Sequence, residues 1–518
     1  MPEYLSPGVY IEEVNTGPRP IEGVGTAMAA FVGFAPAGPI NYPTLITNWT
    51  QYVETFGSLE NGGTRNAHMN GAFLSHAVYG YFLNGGGRCY VTRVVPPSGN
   101  GQQPQPEPVQ LPSRASKAVP SLSIIPKGAP ASDIQVDVAP PSGEEPPEGT
   151  FTLKIRMGEV EETYENVSLG KRGVKNVVET VNQASKLVTV VEEQSSGALA
   201  ERAPETGNYL LKAAPPATLP QLRPDHIVGN VSERSGLEGL EVAEDVTMIC
   251  CPDLMSAYMS GTLDRNGVKA VQLAMIAHCE RLGDRVAILD PIPGLAPQEV
   301  KKWRSQETNY DSMFAALYYP WITIMGPEGK PLPIPPSGHM AGIYARSDNE
   351  RGVHKAPANE IVRGALEPVV QITKGEQDVL NPIGVNCIRT FTGRGLRVWG
   401  ARTLSSDPAW RYVSVRRLFN YIEKSIEQGT QWVVFEPNDP DLWARVRRDV
   451  GAFLTGVWRN GMLFGNSPAE AFYVKCDEEL NPPDVRDRGQ LIIEVGVAPV
   501  KPAEFVIFRF SQFSGGGA

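Results

Sequence analysis

The chain has 518 residues, room for three or four structural units at about 150 residues each, and its 41% hydrophobic and 20% charged residues exclude wholesale disorder. With 52 glycines and 46 prolines it is rich in turn formers, which predicts many loops and extended segments rather than a helical bundle. A formal net charge of −10 argues against nucleic acid as the main partner, because binding a polyphosphate backbone needs a basic stripe.

Residues 1–22 read as an extended arm. Pro2, Pro7-Gly8, Gly17-Pro18 and Pro20 break any helix, and Val9-Tyr10-Ile11-Glu12-Glu13-Val14 is a short strand-like stretch. An α/β segment follows, with a buried strand over Met28 to Phe34. Asn48 caps a helix carrying Trp49, Tyr52, Val53 and Phe56, and a second helix from about Ala72 to Leu83 stops at Asn84-Gly85. Cys89 to Val95 supplies another β-rich run. At Pro96 the composition turns proline-rich. Residues 96–235 read as one inserted β-rich domain, with a strand near Thr152–Arg156, a helix near Val177–Lys186 and a strand at Leu187–Val191.

The α/β texture resumes at Val246–Cys250. An amphipathic helix from about Leu263 to Leu282 and a strand at Arg285–Asp290 complete a βαβ unit. Pro320 to Pro357 reads as a loop-rich zone. Gly384 to Leu404 reads as a hairpin turning at Gly393 and Gly395. Two long helices, about Trp410–Gln428 and Asp439–Asn460, flank an expected strand at Gln431–Phe435. The chain closes with β-patterned runs at 471–476, 490–497 and 504–510 and a glycine tail.

Reactive chemistry is searched for and mostly not found. Arg285–Asp290 resembles a Walker B strand, but no GxxxxGK[ST] loop accompanies it. Gly393-Arg394-Gly395 lacks the third glycine of a dinucleotide fingerprint, and neither HExxH nor GxSxG occurs. His278 and Cys279 are adjacent on a predicted helix, so they point about 100° apart and form no nucleophile–base dyad. The six cysteines contain no CxxC pair and read as reduced, buried thiols. There is no apolar run of about 18 residues for membrane insertion and no secretory signal pattern. An enzyme reading has only Asp253, Asp290 and Cys279 to offer as an unrecognised site.

The strongest unabsorbed features are the polarised ends. Glu504–Phe510 places Val506, Phe508 and Phe510 on one strand face, with Ile507 and Arg509 on the other; these ends either pair within one subunit or extend a neighbour's sheet. The N-terminal run Tyr4–Val14 resembles the N-terminus of contractile tail sheath proteins. So do Phe31-Val32-Gly33-Phe34-Ala35, Asn84-Gly85-Gly86-Gly87-Arg88-Cys89-Tyr90-Val91, Asn381–Asn386, Arg397–Leu404 and Tyr412–Arg417, in the family's order. The resemblance covers roughly 1–95 and 236–510 and leaves the insertion unmatched.

It implies a mixed α/β multidomain fold with a sheath-like core. Within it come an intersubunit arm at 1–22, a middle domain from 23–95 plus 236–380, and an inserted outer domain at 96–235. A tube-facing domain at 381–503 and a C-terminal strand and tail at 504–518 complete the chain. The resemblance further implies a structural subunit without cofactor or metal that polymerises helically around an inner tube and contracts. Val9, Tyr10, Ile11, Glu12, Val14, Val506, Ile507, Phe508, Arg509 and Phe510 would form the intersubunit strands. Besides itself, its partners would be the inner tube protein, the baseplate and the tail terminator or cap. Assembly would take place in the bacterial cytoplasm, into a phage tail or tail-like particle. One chain carrying both the arm and the C-terminal region argues against a two-chain type VI sheath. A tube-facing surface is expected on the helix Asp439–Asn460, where Arg445, Arg447 and Arg448 cluster in an otherwise acidic chain.

Overall fold

The structure, a computed structural model, describes residues 20–60, 64–95, 108–115, 119–127, 130, 132–143, 147–170, 175–193, 198–213 and 219–509. These fall into two compact units. The larger comprises Thr26–Arg351 and Ala356–Val413; the smaller comprises 20–25, Gly352–Lys355 and 414–509.

The larger unit is organised by an eight-stranded sheet. Its order is Thr44–Ile46, Cys89–Arg93, Ala29–Gly33, Met248–Cys250, Val286–Leu289, Ala315–Tyr319, Val385–Phe391 and Gly395–Val398. The six inner strands run parallel and each edge strand is antiparallel to its neighbour. Strands such as Ala29–Gly33 and Val286–Leu289 are buried at every residue, which is why they read as continuous apolar runs without alternation. Asn48 accepts the Gln51 amide and so caps the helix Trp49–Phe56 as expected. The helix Arg265–Leu282 crosses between parallel strands, completing the βαβ unit.

Helix Leu74–Asn84 ends at Gly85, whose φ of +118° needs glycine. It packs against the helix Ser337–Arg351, which lies within the segment Pro320 to Pro357 where loops are expected. That zone also contains two short antiparallel strands, Ile322–Met325 and Pro331–Ile334. The miss has a physical cause. Helix Ser337–Arg351 is buried almost throughout and lacks an amphipathic stripe, and its Gly338 and Gly342 lower its helix propensity. Those glycines serve close packing. A Cβ on Gly338 would lie 2.4 Å from the Ala77 backbone, and one on Gly342 would lie 2.5 Å from the Tyr81 carbonyl.

The insertion has its own core. A five-stranded sheet and a three-stranded sheet enclose Leu111, Leu122, Ile124, Val136, Phe151, Ile155, Val177 and Val190 among others. Leu59 from the preceding segment also joins this core, whereas Leu222 and Ile227 join the main core, so the part of the insertion gathered in the separate cluster ends near 211 rather than 235. The start of the C-terminal unit also differs from the expected 381. Strand Val385–Phe391 hydrogen-bonds Ala315–Tyr319 in the central sheet, and the smaller unit begins at 414.

In the smaller unit, helices Val413–Gly429 and Pro440–Arg459 pack through Leu418, Ile422, Leu442, Trp443, Val446, Val450, Leu454 and Val457. Asp439 caps the second helix by accepting the Leu442 amide. The segment between them, expected as a strand, is a short 3-10 turn at Gln431–Val433. Its β-branched run has no sheet neighbour to pair with among the described residues. Beyond the helices, Phe472–Lys475 pairs antiparallel with Glu494–Val497.

Candidate functional site

The two-stranded sheet of the smaller unit is the first feature with unused bonding capacity. Its register sets Phe472 opposite Val497, Tyr473 opposite Gly496, Val474 opposite Val495 and Lys475 opposite Glu494. Phe472, Val474, Val495 and Val497 pack on the helical core, and Tyr473 bonds Glu494 at 2.6 Å. One face is thus anchored. Among the described residues no third strand joins Phe472–Lys475 or Glu494–Val497, although Leu463 bridges Pro499 just beyond the second strand. A two-stranded sheet of this kind can be extended by a further strand.

The second feature is the chain's end. Residues 504–509 form no strand, although their composition favours one. Phe505, Val506, Ile507 and Phe508 are 70%, 69%, 78% and 76% exposed, and Arg509 is exposed with them. Among the described residues no strand pairs with this segment. Phe510 and the N-terminal candidates Val9, Tyr10, Ile11, Glu12 and Val14 lie outside the described residues.

The three clustered arginines separate. Arg445 is exposed, paired with Glu436 at 3.3 Å and placed over the Trp432 ring at 5.3 Å. Arg448 is exposed and pairs with the buried Asp449 at 2.9 Å. Arg447, only two residues from Arg445, lies about 200° round the helix and donates to the Cys476 carbonyl within the same unit. Arg445 and Arg448 therefore share a surface, and Arg447 is a structural link. A cavity of about 380 Å³ beside Arg448 is lined by Ile21, Tyr421, Phe453 and Val457.

The carboxylates offered for an enzyme are engaged in capping. Asp253 accepts backbone amides from Phe34 at 2.6 Å, Leu74 at 3.2 Å and Phe73, and the Ser256 hydroxyl at 2.6 Å. Burial pushes its carboxyl up to about 6 against the pull of those donors. Helix Leu74–Asn84 has no capping side chain of its own, so Asp253 supplies its cap from 179 residues away. Asp290 accepts the Ser337 amide at 2.9 Å at the start of the helix Ser337–Arg351, and burial pushes it up to about 7. The Cys279 thiol is fully buried and raised by desolvation, the opposite of an activated nucleophile.

These observations define a multidomain protein whose open valences are backbone edges and exposed apolar chain, with its buried acids committed to holding helices in place. The comparisons with known proteins agree. Residues 235–404 match the phage tail sheath protein central domain and 405–513 the phage tail sheath C-terminal domain. The chain belongs to the contractile tail sheath family.

Among its relatives, the tail sheath protein of Burkholderia phage BcepMu is 23% identical over 97% of this chain and 95% of its own length. The tail sheath protein of Vibrio phage KVP40 is 29% identical, but the match spans 34% of this chain and 26% of that protein. The match to the enterobacteria phage T4 tail sheath protein likewise spans only 27% of its length. Among solved structures, the helical sheath of the anti-feeding prophage in its contracted state is 26% identical, with a TM-score of 0.59 over 98% of this chain and 99% of that one. The sheath complex of the extracellular contractile injection system PVC shares the fold at 24% identity and a TM-score of 0.58.

Proposed function

We propose that this chain is a sheath subunit that polymerises helically around a rigid inner tube and contracts to drive that tube through a target envelope. The observation that carries the reading is the pairing of an open-edged two-stranded sheet with a strand-forming C-terminal segment that stays exposed. A strand-forming segment that pairs with no strand among the described residues is suited to pair with a neighbour's sheet. A head-to-tail contact of this kind builds an open helix when its rotation does not close into a ring.

In this reading the ends, residues 1–22 and 504–518, tether subunits while the compact units move as bodies during contraction. Work comes from the free-energy difference between the extended and contracted lattices, so the subunit acts as a structural element without enzymatic activity or cofactor. Arg445 and Arg448 face an acidic tube, whereas Arg447 does not take part. The β-rich insertion lies outside the lattice. Baseplate and terminator proteins bound the two ends of the sheath. Assembly takes place in the bacterial cytoplasm, and the product belongs to a phage tail or tail-like particle.

Negative-stain microscopy of the purified chain, alone and with its inner tube protein, tests this. Long hollow tubes are expected. Discrete small oligomers under both conditions would refute the sheath reading and return attention to a soluble α/β enzyme.

A further inference from the structure

The hairpin at the far edge of the central sheet carries a charge arrangement that the sheath reading leaves unexplained. Strands Val385–Phe391 and Gly395–Val398 pair antiparallel, with Arg389 directly opposite Arg397. Like charges facing across a ladder disfavour the pairing. The period of two puts Arg389 and Phe391 on the same face, across from Arg397 and Trp399. At the turn, where Gly393 and Gly395 adopt φ near +73° and +72°, Arg394 adds a third guanidinium.

The face is built, not incidental. The Phe391 and Trp399 rings meet at 4.5 Å. Arg389 lies over Phe391 at 5.4 Å, and Arg394 stands 5.8 Å from Phe391 and 5.9 Å from Trp399. Every hydrogen-bond acceptor of the three arginines is neutral. Arg389 donates to the Ile372 carbonyl at 2.9 Å and to Gln377 Oε1 at 2.8 Å. Arg394 donates to Asn359 Oδ1 at 2.8 Å. Arg397 donates to the Asn359 carbonyl at 2.6 Å and the Arg394 carbonyl at 3.1 Å.

Among the described residues, no carboxylate reaches any of the three at ion-pair distance. Elsewhere Arg265, Arg281, Arg285, Arg416 and Arg445 all have acidic partners. The chain as a whole has 57 acidic residues against 47 basic ones, so this face is a local inversion of its field.

We infer that the Arg389–Arg394–Arg397 face is a carboxylate-docking surface, occupied in the assembled sheath by an acidic segment of a second copy of this chain. This rests on the sheath reading, which surrounds each subunit with further copies of the same net-negative chain. Charge complementarity selects the occupant. A carboxylate between Arg389 and Arg397 turns a repulsive cross-strand pair into a bridged one, and the Phe391 and Trp399 rings restrain the Arg389 and Arg394 guanidiniums beside it. Three charges confined to one hairpin within a net-negative chain do not suit an extended polyanion.

The test compares wild type with Arg394→Glu, because Arg389 and Arg397 also hold the backbone through carbonyls. The variant is expected to melt like wild type but to need about tenfold more protein to form tubes. A photo-crosslinking residue in place of exposed Thr392 should capture an acidic peptide of a second copy in assembled wild-type tubes. Unchanged assembly of Arg394→Glu, or cross-links to nucleic acid or tube protein alone, or none, would overturn the inference while leaving the sheath reading intact. Failure of wild type to form tubes would defeat the sheath reading itself.

Discussion

Gly80 lies against the ring of His339 so closely that a Cβ at position 80 would sit 2.3 Å from both Cε1 and Nδ1. Contacts of Ala77 with Gly338, Tyr81 with Gly342 and Gly85 with Arg346 advance in step, so helices Leu74–Asn84 and Ser337–Arg351 run parallel. Their N-termini point the same way, an arrangement in which the helix dipoles repel. The buried carboxylates of Asp253 and Asp290, one at each N-terminus, offset that repulsion.

Gly80→Ala should therefore destabilise the larger unit by roughly 1–3 kcal/mol through overpacking. Gly375→Ala is the control, since a Cβ there meets nothing within 4 Å and its helix gains propensity, about 0.5–1 kcal/mol. Denaturant unfolding of both variants measures the difference; equal effects of the two substitutions would contradict the close approach.

Asp253→Asn keeps the size of the side chain but replaces one acceptor oxygen with a donor facing backbone amides. A loss of about 2–4 kcal/mol is expected, because buried amides of Phe34, Phe73 and Leu74 then compete for one oxygen. Thermal melting is the readout, and a variant that melts within about 2 °C of wild type would show that the cap is dispensable.

The pH dependence has two opposing parts. Burial depresses His339 to about 4; His76 falls to about 3 by burial, with His68 and His339 adding to the effect. Below about 6.5 the unfolded chain takes up protons that these folded imidazoles refuse, so stability falls as the pH drops from there. Asp253 and Asp290, raised to about 6 and about 7, act in the other direction. Each binds its proton first in the folded state and adds stability as the pH falls toward the unfolded value of about 3.8. His339→Gln removes one destabilising limb. Its stability relative to wild type should rise by about 2 kcal/mol between about pH 7.5 and about pH 5, measured by urea unfolding at both values. Parallel curves for the two proteins would argue against a neutral buried imidazole.

Deleting residues 504–518, or residues 1–14, should leave melting unchanged to within about 2 °C while abolishing tube formation. The described part of the C-terminal segment is exposed and contributes little burial. Intact tubes from either truncation would be incompatible with strand exchange between subunits.

Arg445→Glu with Arg448→Glu should weaken assembly on the inner tube and spare subunit stability, since both side chains are exposed. Arg447→Ala should do the reverse, costing roughly 1–2 kcal/mol by releasing the Cys476 carbonyl. Co-sedimentation with tubes, set beside melting curves, separates the two roles; matching behaviour of all three arginines would support one docking patch instead.

Much of this architecture was legible in residue order. Strands buried on both faces announced themselves as apolar runs, as at Ala29–Gly33 and Val286–Leu289. Helices with strong caps or a polar face, such as Trp49–Phe56 and Pro440–Arg459, were readable from Asn48, Asp439 and their spacing. The helix Ser337–Arg351 was not legible, because burial on all sides erases the periodicity that marks a helix. Asp253 looked like a stray carboxylate because the amides it caps, those of Phe34, Phe73 and Leu74, are distant in the chain.

By itself the sequence determined most of the local elements, the acidic balance, the β-patterned runs near both ends and the resemblance to the sheath family. Each depends on neighbouring residues or on an ordered string of short motifs. Tertiary structure alone decided which helix Asp253 caps, why Gly80 must be small, and that Arg447 turns away from Arg445 and Arg448. It also set Arg389 against Arg397 at a sheet edge with no carboxylate of the described residues between them. Those outcomes depend on contacts between residues far apart in the chain, and only the folded backbone sets their distances.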